Sequence, residues 1–318
     1  MKDLGNAHAR VAVIDEAHAA QRVDNFLLRM LKGVPRSHIY RLLRGGEVRV
    51  NSRRVDATYR LQDGDRVRIP PVRVSLPVSR SGAVPRGADF PVVYEDDALL
   101  VIDKPAGVAV HGGSGVSFGV IERLRAAREL RFLELAHRLD RETSGLLMLA
   151  KKRSALVALH AALREARVTK VYLVLVKGAW TQKYREIVLP LHKHVTREGE
   201  RRVSVRQGGQ VSRSRFDLVA RHGDFSLLKA TLATGRTHQI RVQLAHLGFP
   251  IAGDDKYGDF ELNRELSKRG LKRMFLHAHE LALVHPSSGE RIDLASPLPA
   301  ELADFLAGVG RARHAEAL

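Results

Sequence analysis

The chain has 318 residues with 44% hydrophobic content, enough for a packed core and, at roughly 150 residues per domain, for about two domains. It contains no cysteine, which excludes disulfides, thiol catalysis and cysteine-built zinc sites and leaves only histidine and carboxylate metal sites open. Its 53 Lys and Arg against 35 Asp and Glu give a net charge of +18, which points to a polyanionic partner, nucleic acid ahead of a membrane surface.

In chain order, residues 1–20 read as an N-terminal tail: Asp3, Arg10, Asp15 and Glu16 interrupt any apolar leader. Nowhere does the sequence approach the roughly 18 apolar residues of a membrane span, so a cytoplasmic protein is expected. Residues 21–71 read as a small basic domain. "QRVDNFLLRMLKG" carries Val23, Phe26, Leu27 and Met30 at helical spacing before a glycine stop, and "VPRSHIYRLLRGG" repeats the plan. On the second helix Ile39, Leu42 and Leu43 fall on one side and Arg36, Arg41 and Arg44 on the other. "EVRVN" and "DRVRIP" alternate as exposed strands do, with "QDGD" as a turn, and Asn51, Arg53 and Arg54 extend the basic surface. Such a surface suits phosphate contacts to RNA or DNA.

Residues 72–89, rich in proline and small residues, read as a linker. Residues 90–310 then read as an α+β domain with a mixed, largely antiparallel sheet, and 311–318 as a C-terminal tail. The expected strands are "PVVYEDDALLVIDKP", "GLLMLAKK", "KVYLVLVKG", "RFDLVA", "FSLLKATLA" and "FLHAHELALVHP"; the expected helices are "FGVIERLRAARELR", "SALVALHAALREA" and "THQIRVQLAHLG".

Several chemistries lack their structural context. There is no Gly-x-x-x-x-Gly-Lys-Ser/Thr, and "HGGSGVSFG" reads as a flexible loop. "HRLD" occurs without the other kinase motifs, and no Gly-x-Ser-x-Gly elbow is present. His277 and His279 alternate on a strand, a pattern commoner in packing than in metal ligation. What remains is Asp140 in "LAHRLDRETSG", set among ionisable residues ahead of the apolar run Leu146 to Ala150, together with Tyr172, Arg236 and Arg241 in later segments. Ionisable clusters at a strand mouth mark candidate sites.

These segments, with "YEDDALLVIDKPAGVAVHGG" and "IAGDDKYGD", resemble the signature motifs of the RluA-type pseudouridine synthases, and residues 21–71 resemble an S4-like RNA-binding domain. The resemblance spans about Gln21 to Leu298. It implies isomerisation of uridine to pseudouridine in 23S ribosomal RNA, or a large-subunit precursor of it, with no cofactor, no metal and no obligate protein partner. It also implies catalytic roles for Asp140, Tyr172 and Arg241, and for Arg138 the filling of the gap left by a flipped base. Arg36, Arg41, Arg44 and Arg53 would hold RNA. The rival from another class is a non-catalytic RNA-binding assembly factor, which has no need of the Asp140, Tyr172 and Arg241 trio.

Overall fold

The computed structural model describes residues 9–16, 18–31, 34, 36–72, 90–112, 118–128, 130, 132–196 and 200–315. Most of the expected linker, the centre of the "HGGSGVSFG" loop and the extreme termini lie outside the described residues, as does the side chain of Arg36. The chain divides into two compact units, one over residues 1–85 with 152–157 and the other over 86–151 with 158–318.

In the first unit, strand β1 (Arg10–Val13) is followed by helices α1 (Val23–Met30) and α2 (Arg36–Arg44) and strands β2 (Arg49–Val50) and β3 (Arg66–Ile69). The strands form an antiparallel sheet in the order β1-β3-β2. Strand β1 lies inside the stretch expected to be a tail. Its "RVAV" is too short to carry a period, and it becomes a strand by pairing Arg10 to Ile69 and Val13 to Arg66. Helix α1 presents Val23, Phe26 and Leu27, and α2 presents Ile39, Leu42 and Leu43, to a core shared with Val50, Leu61, Val67 and Ile69. Arg41, Arg44 and Arg53 are exposed. Asn51 is exposed beside Arg53 and also has a structural task. At φ 49° it sits in a left-handed turn, its amide donates to Asp65 at 2.7 Å and its carbonyl oxygen accepts from the Arg66 N–H at 2.9 Å, so it holds the turn.

The second unit contains strands β4 (Val92–Glu95) and β5 (Leu99–Lys104), helix α3 (Val120–Ala127), strands β6 (Glu134–Leu135) and β7 (Ser144–Ala150), residues 158–164 of helix α4 (Arg153–Arg164), and strands β8 (Thr169–Lys177), β9 (Tyr184–Val195), β10 (Arg201–Val205), β11 (Gln210–His222) and β12 (Phe225–Leu232). Helices α5 (Gln239–His246) and α6 (Phe260–Lys268), strands β13 (Leu276–Val284) and β14 (Arg291–Ala295) and helix α7 (Ala300–Ala315) complete it. Helix α7 runs past the expected domain end at residue 310 into the stretch read as a C-terminal tail. The main sheet has the order β10-β9-β11-β12-β8-β13-β7-β5-β4, with β14 beside β13 and β6 beside β7. Only β7 and β13 pair in parallel among the described strands. This is the expected α+β architecture with a mostly antiparallel sheet.

Both sheet faces are covered. Leu100, Ile102, Leu147, Leu149 and Val174 pack with Leu124 of α3 and with Ile240 and Leu244 of α5, while Leu175, Leu227 and Phe275 pack with Leu266 of α6 and Phe305 of α7. Burial from both sides explains why "SGLLMLA" is continuously apolar rather than alternating. The strand pair β9 and β10 has no counterpart among the expected strands. Pro190 argues against a central strand, yet β10 covers only Leu191 to Val195 of β9, so the proline nitrogen needs no sheet partner.

Candidate active site

The site is organised around one rung of the sheet. Ala278 of β13 pairs with Gly145 of β7 on one side and with Tyr172 of β8 on the other. Gly145 has φ 107°, and a Cβ there would run into the Ala278 backbone, so only glycine admits this close parallel approach. The turn Asp140–Thr143, closed by the Thr143 N–H donating to the Asp140 carbonyl at 3.2 Å, feeds straight into β7. The carboxyl-bearing turn and Tyr172 are thereby fixed to a common backbone reference.

Helix α5 brings the counter-charge. Arg241, in its first turn, is 5% exposed, and its Nε and Nη2 donate to the two carboxylate oxygens of Asp254 at 2.8 and 2.7 Å. The fork is committed to Asp254, which leaves Nη1 to face Asp140 Oδ2 at 3.4 Å. Burial works against the Arg241 charge, but the hydrogen bonds and charge of Asp254, followed by Asp140, hold its pKa above the ordinary arginine value. Asp254 is fully buried and also accepts from the N–H groups of Lys256 and Tyr257 at 2.8 and 3.0 Å. Burial raises its pKa, Arg241 lowers it, and the net direction is downward.

Tyr172 is 7% exposed. Burial, and then the charge of Asp140, push its phenol pKa well upward, so it remains an uncharged hydroxyl. His238 approaches Asp140 from the other side, with Nε2 at 3.9 Å from Oδ1 and Nδ1 sharing a 2.8 Å hydrogen bond with the Tyr257 hydroxyl. It adopts the left-handed conformation at φ 53° immediately before α5, and burial lowers its pKa. Beneath the Asp140 turn, the fully buried Lys104 donates to the carbonyls of Pro105, Val108 and Arg141 at 2.7, 2.9 and 3.1 Å. Burial pulls its pKa down to about 7, and three carbonyls accept from its three hydrogens.

Arg138, Asp140, Tyr172, His238 and Arg241 line one open pocket of about 70 Å³. Arg236 lines it too, so the five residues singled out in the sequence for the site, Arg138, Asp140, Tyr172, Arg236 and Arg241, meet there. Arg138 is exposed, and Arg236 stands at the rim with Nε donating to the Val211 carbonyl at 3.2 Å. Arg41, Arg44 and Arg53 belong to the other unit, on its exposed surface. His277, weighed as a metal ligand, has its Nδ1 at 2.9 Å from Ser144 Oγ and its Nε2 at 3.0 Å from the Ser296 carbonyl. Sequence reasoning assigned no role to Asp254, Tyr257 and His238. The adjacent acids in "IAGDDKYGD" and the histidine in "RTHQIR" were the available signals. A buried acid partner for Arg241 is visible only once α5 and the following turn are folded together.

An RNA pseudouridylate synthase family model matches residues 98–246 and an S4 domain model matches residues 21–67. A relative from Pasteurella multocida (strain Pm70), named ribosomal large subunit pseudouridine synthase C, is 49% identical across 95% of this chain and 94% of its own length. Its namesake from Escherichia coli (strain K12) is 49% identical across 96% of this chain and 98% of its own. The solved structure of human RNA pseudouridylate synthase domain containing 1 superposes with a TM-score of 0.56 at 26% identity, covering 71% of this chain and 90% of that one. With a pseudouridylate synthase unit and an S4 domain ahead of it, and with relatives 49% identical over nearly the whole chain, the chain belongs to the RNA pseudouridylate synthase family.

Proposed function

We propose that this pseudouridine synthase converts uridine to pseudouridine in 23S ribosomal RNA or its large-subunit precursor, with Asp140 as the group that acts on the sugar. The reaction breaks the N1–C1′ bond, turns the held uracil, forms the C5–C1′ bond and releases the C5 proton while N1 regains one. Asp140 either attacks C1′ or removes the 2′ proton. The uncharged ring of Tyr172 stacks on the detached uracil, and its hydroxyl lies toward the departing proton. Arg241, fixed by Asp254, orients the Asp140 carboxylate. Flipping a uridine from its stack costs a few kcal/mol, and Arg138 fills the vacated space.

The observation that carries this reading is the convergence of Asp140, Tyr172 and Arg241 on one pocket with the exposed Arg138 beside them. The names of the relatives support a large-subunit target. Arg36, Arg41, Arg44 and Arg53 of the S4 domain supply phosphate contacts, which add affinity with little sequence information. The test is release of tritium from 23S rRNA labelled at uridine C5, with transfer RNA as the competing substrate and a chelator present throughout. Release from 23S rRNA alone supports the assignment. Release from transfer RNA alone, or release abolished by chelation, overturns it.

A further inference from the structure

Beside the pocket at Asp140 lies a larger cavity of about 410 Å³, and the two share Arg138, Tyr172, Leu232, Gly235 and Arg236. Its lining adds Arg164 and Lys170 and contains no carboxylate among the described residues. Lys170 lies two residues before Tyr172 on β8, so the two side chains share a face about 7 Å apart along the strand. Lys170 is only 9% exposed, and its pKa is lowered by burial alone, with no hydrogen-bond or charge partner acting on its ammonium. A buried cation without a partner is costly, and proteins normally pair it. Lys104, the other buried lysine of this unit, donates to three carbonyls. The contrast singles out Lys170 as a cation whose partner comes from outside the chain.

Two further features shape the cavity. His137 adds no charge, because its Nε2 accepts from the Met148 N–H at 3.0 Å and burial lowers its pKa to about 3. Gly235 leaves space at the ammonium, since a Cβ there would stand 3.7 Å from Lys170 Nζ.

We propose that this cavity is a phosphodiester site in which Lys170, with Arg138, Arg164 and Arg236, takes the backbone of the RNA strand beside the uridine presented to Asp140. The inference rests on the RNA-modifying function proposed above. The occupant is a phosphodiester of the substrate because the cavity opens onto the substrate pocket and carries four cationic side chains with no acid to balance them. The contact positions the strand and reads no base.

The test compares the wild-type protein with Lys170→Met and Lys170→Arg, measuring affinity for 23S rRNA by filter binding across a potassium chloride series. Tritium release is measured in parallel. Lys170→Met is expected to weaken binding about tenfold at low salt and to reduce the slope of log affinity against log salt by about 0.7 to 0.9. Lys170→Arg retains most of the slope. In the free protein Lys170→Met melts no lower than wild type, because it removes an unpaired buried charge; a lysine with a merely structural role would melt lower on substitution. Inorganic phosphate that relieves RNA binding only in proteins retaining a cation at position 170 identifies the phosphate group as the ligand. An unchanged salt slope in Lys170→Met overturns the site. If the wild type releases tritium while that slope is unchanged, the site falls and the functional reading stands. A reduced slope without tritium release by the wild type has the opposite meaning.

Discussion

Replacing Asp254 by alanine tests whether the buried Arg241–Asp254 pair is what holds the site's counter-charge in place. Asp254 is fully buried, Arg241 is 5% exposed, and two hydrogen bonds of 2.7 and 2.8 Å join them. Removing the acid strands a buried guanidinium whose remaining carboxylate neighbours are Asp140 at 3.4 Å and the exposed Asp255 at 3.7 Å. Breaking a buried pair from one side costs about 3–5 kcal/mol. For a unit of this size that lowers the melting temperature by roughly 10 °C. Two amide donors, from Lys256 and Tyr257, also lose their acceptor, which favours the upper end. Displacing Arg241 by about 1 Å is enough to cost about 100-fold in kcat. The double variant Asp254→Leu with Arg241→Met discards both charges and is expected to recover the part of the stability lost to the stranded guanidinium, but not the part lost at the Lys256 and Tyr257 amides, and none of the activity. Thermal unfolding and tritium release on the single and double variants provide both readouts. An Asp254→Ala protein that melts within about 2 °C of wild type, which corresponds to less than about 1 kcal/mol, would refute the reasoning.

The same pair gives a pH dependence. Asp254 has a depressed pKa in the folded protein, so its contribution is fully present above the unfolded value of 3.8 and is lost as pH falls through the folded value. The stability difference between wild type and Asp254→Asn should be flat from neutral pH to about 5 and should shrink below 4, as denaturant titrations at each pH will show. Tyr172 should ionise above its ordinary value of 10.0; an ultraviolet titration of wild type minus Tyr172→Phe should show no tyrosinate from this residue below that pH. Gly145→Ala forces a side chain into the Ala278 backbone at φ 107° and should cost about 3 kcal/mol in unfolding experiments. Lys104→Met removes the donor to the Arg141 carbonyl and should lower kcat about tenfold or more while binding to 23S rRNA stays within twofold.

Much of the candidate site was legible because its residues reside in short contiguous motifs. Asp140 stands out as an acid ahead of an apolar strand, and the buried run Leu146 to Ala150 and the helical spacing of Ile39, Leu42 and Leu43 follow directly from residue order. Pairing across the chain is not legible in the same way. Strand β1 exists because β3 accepts it, and β9 tolerates Pro190 because its neighbour stops short. Helix α6 could have been read: Asp259 caps it by accepting from the Leu262 N–H at 3.0 Å, and Leu262 and Leu266 recur at helical spacing. The partnerships of Arg241 with Asp254 and of Lys104 with three carbonyls join segments that no local pattern connects.

The most direct test of the central claim uses Asp140→Asn, which replaces the carboxylate by an amide of nearly the same shape. Tritium release from uridine C5 and equilibrium binding should be measured on the same 23S rRNA preparation. The account predicts release at least about 1,000-fold below wild type, with binding unchanged within about threefold. Release at the wild-type rate from the Asp140→Asn protein would contradict it.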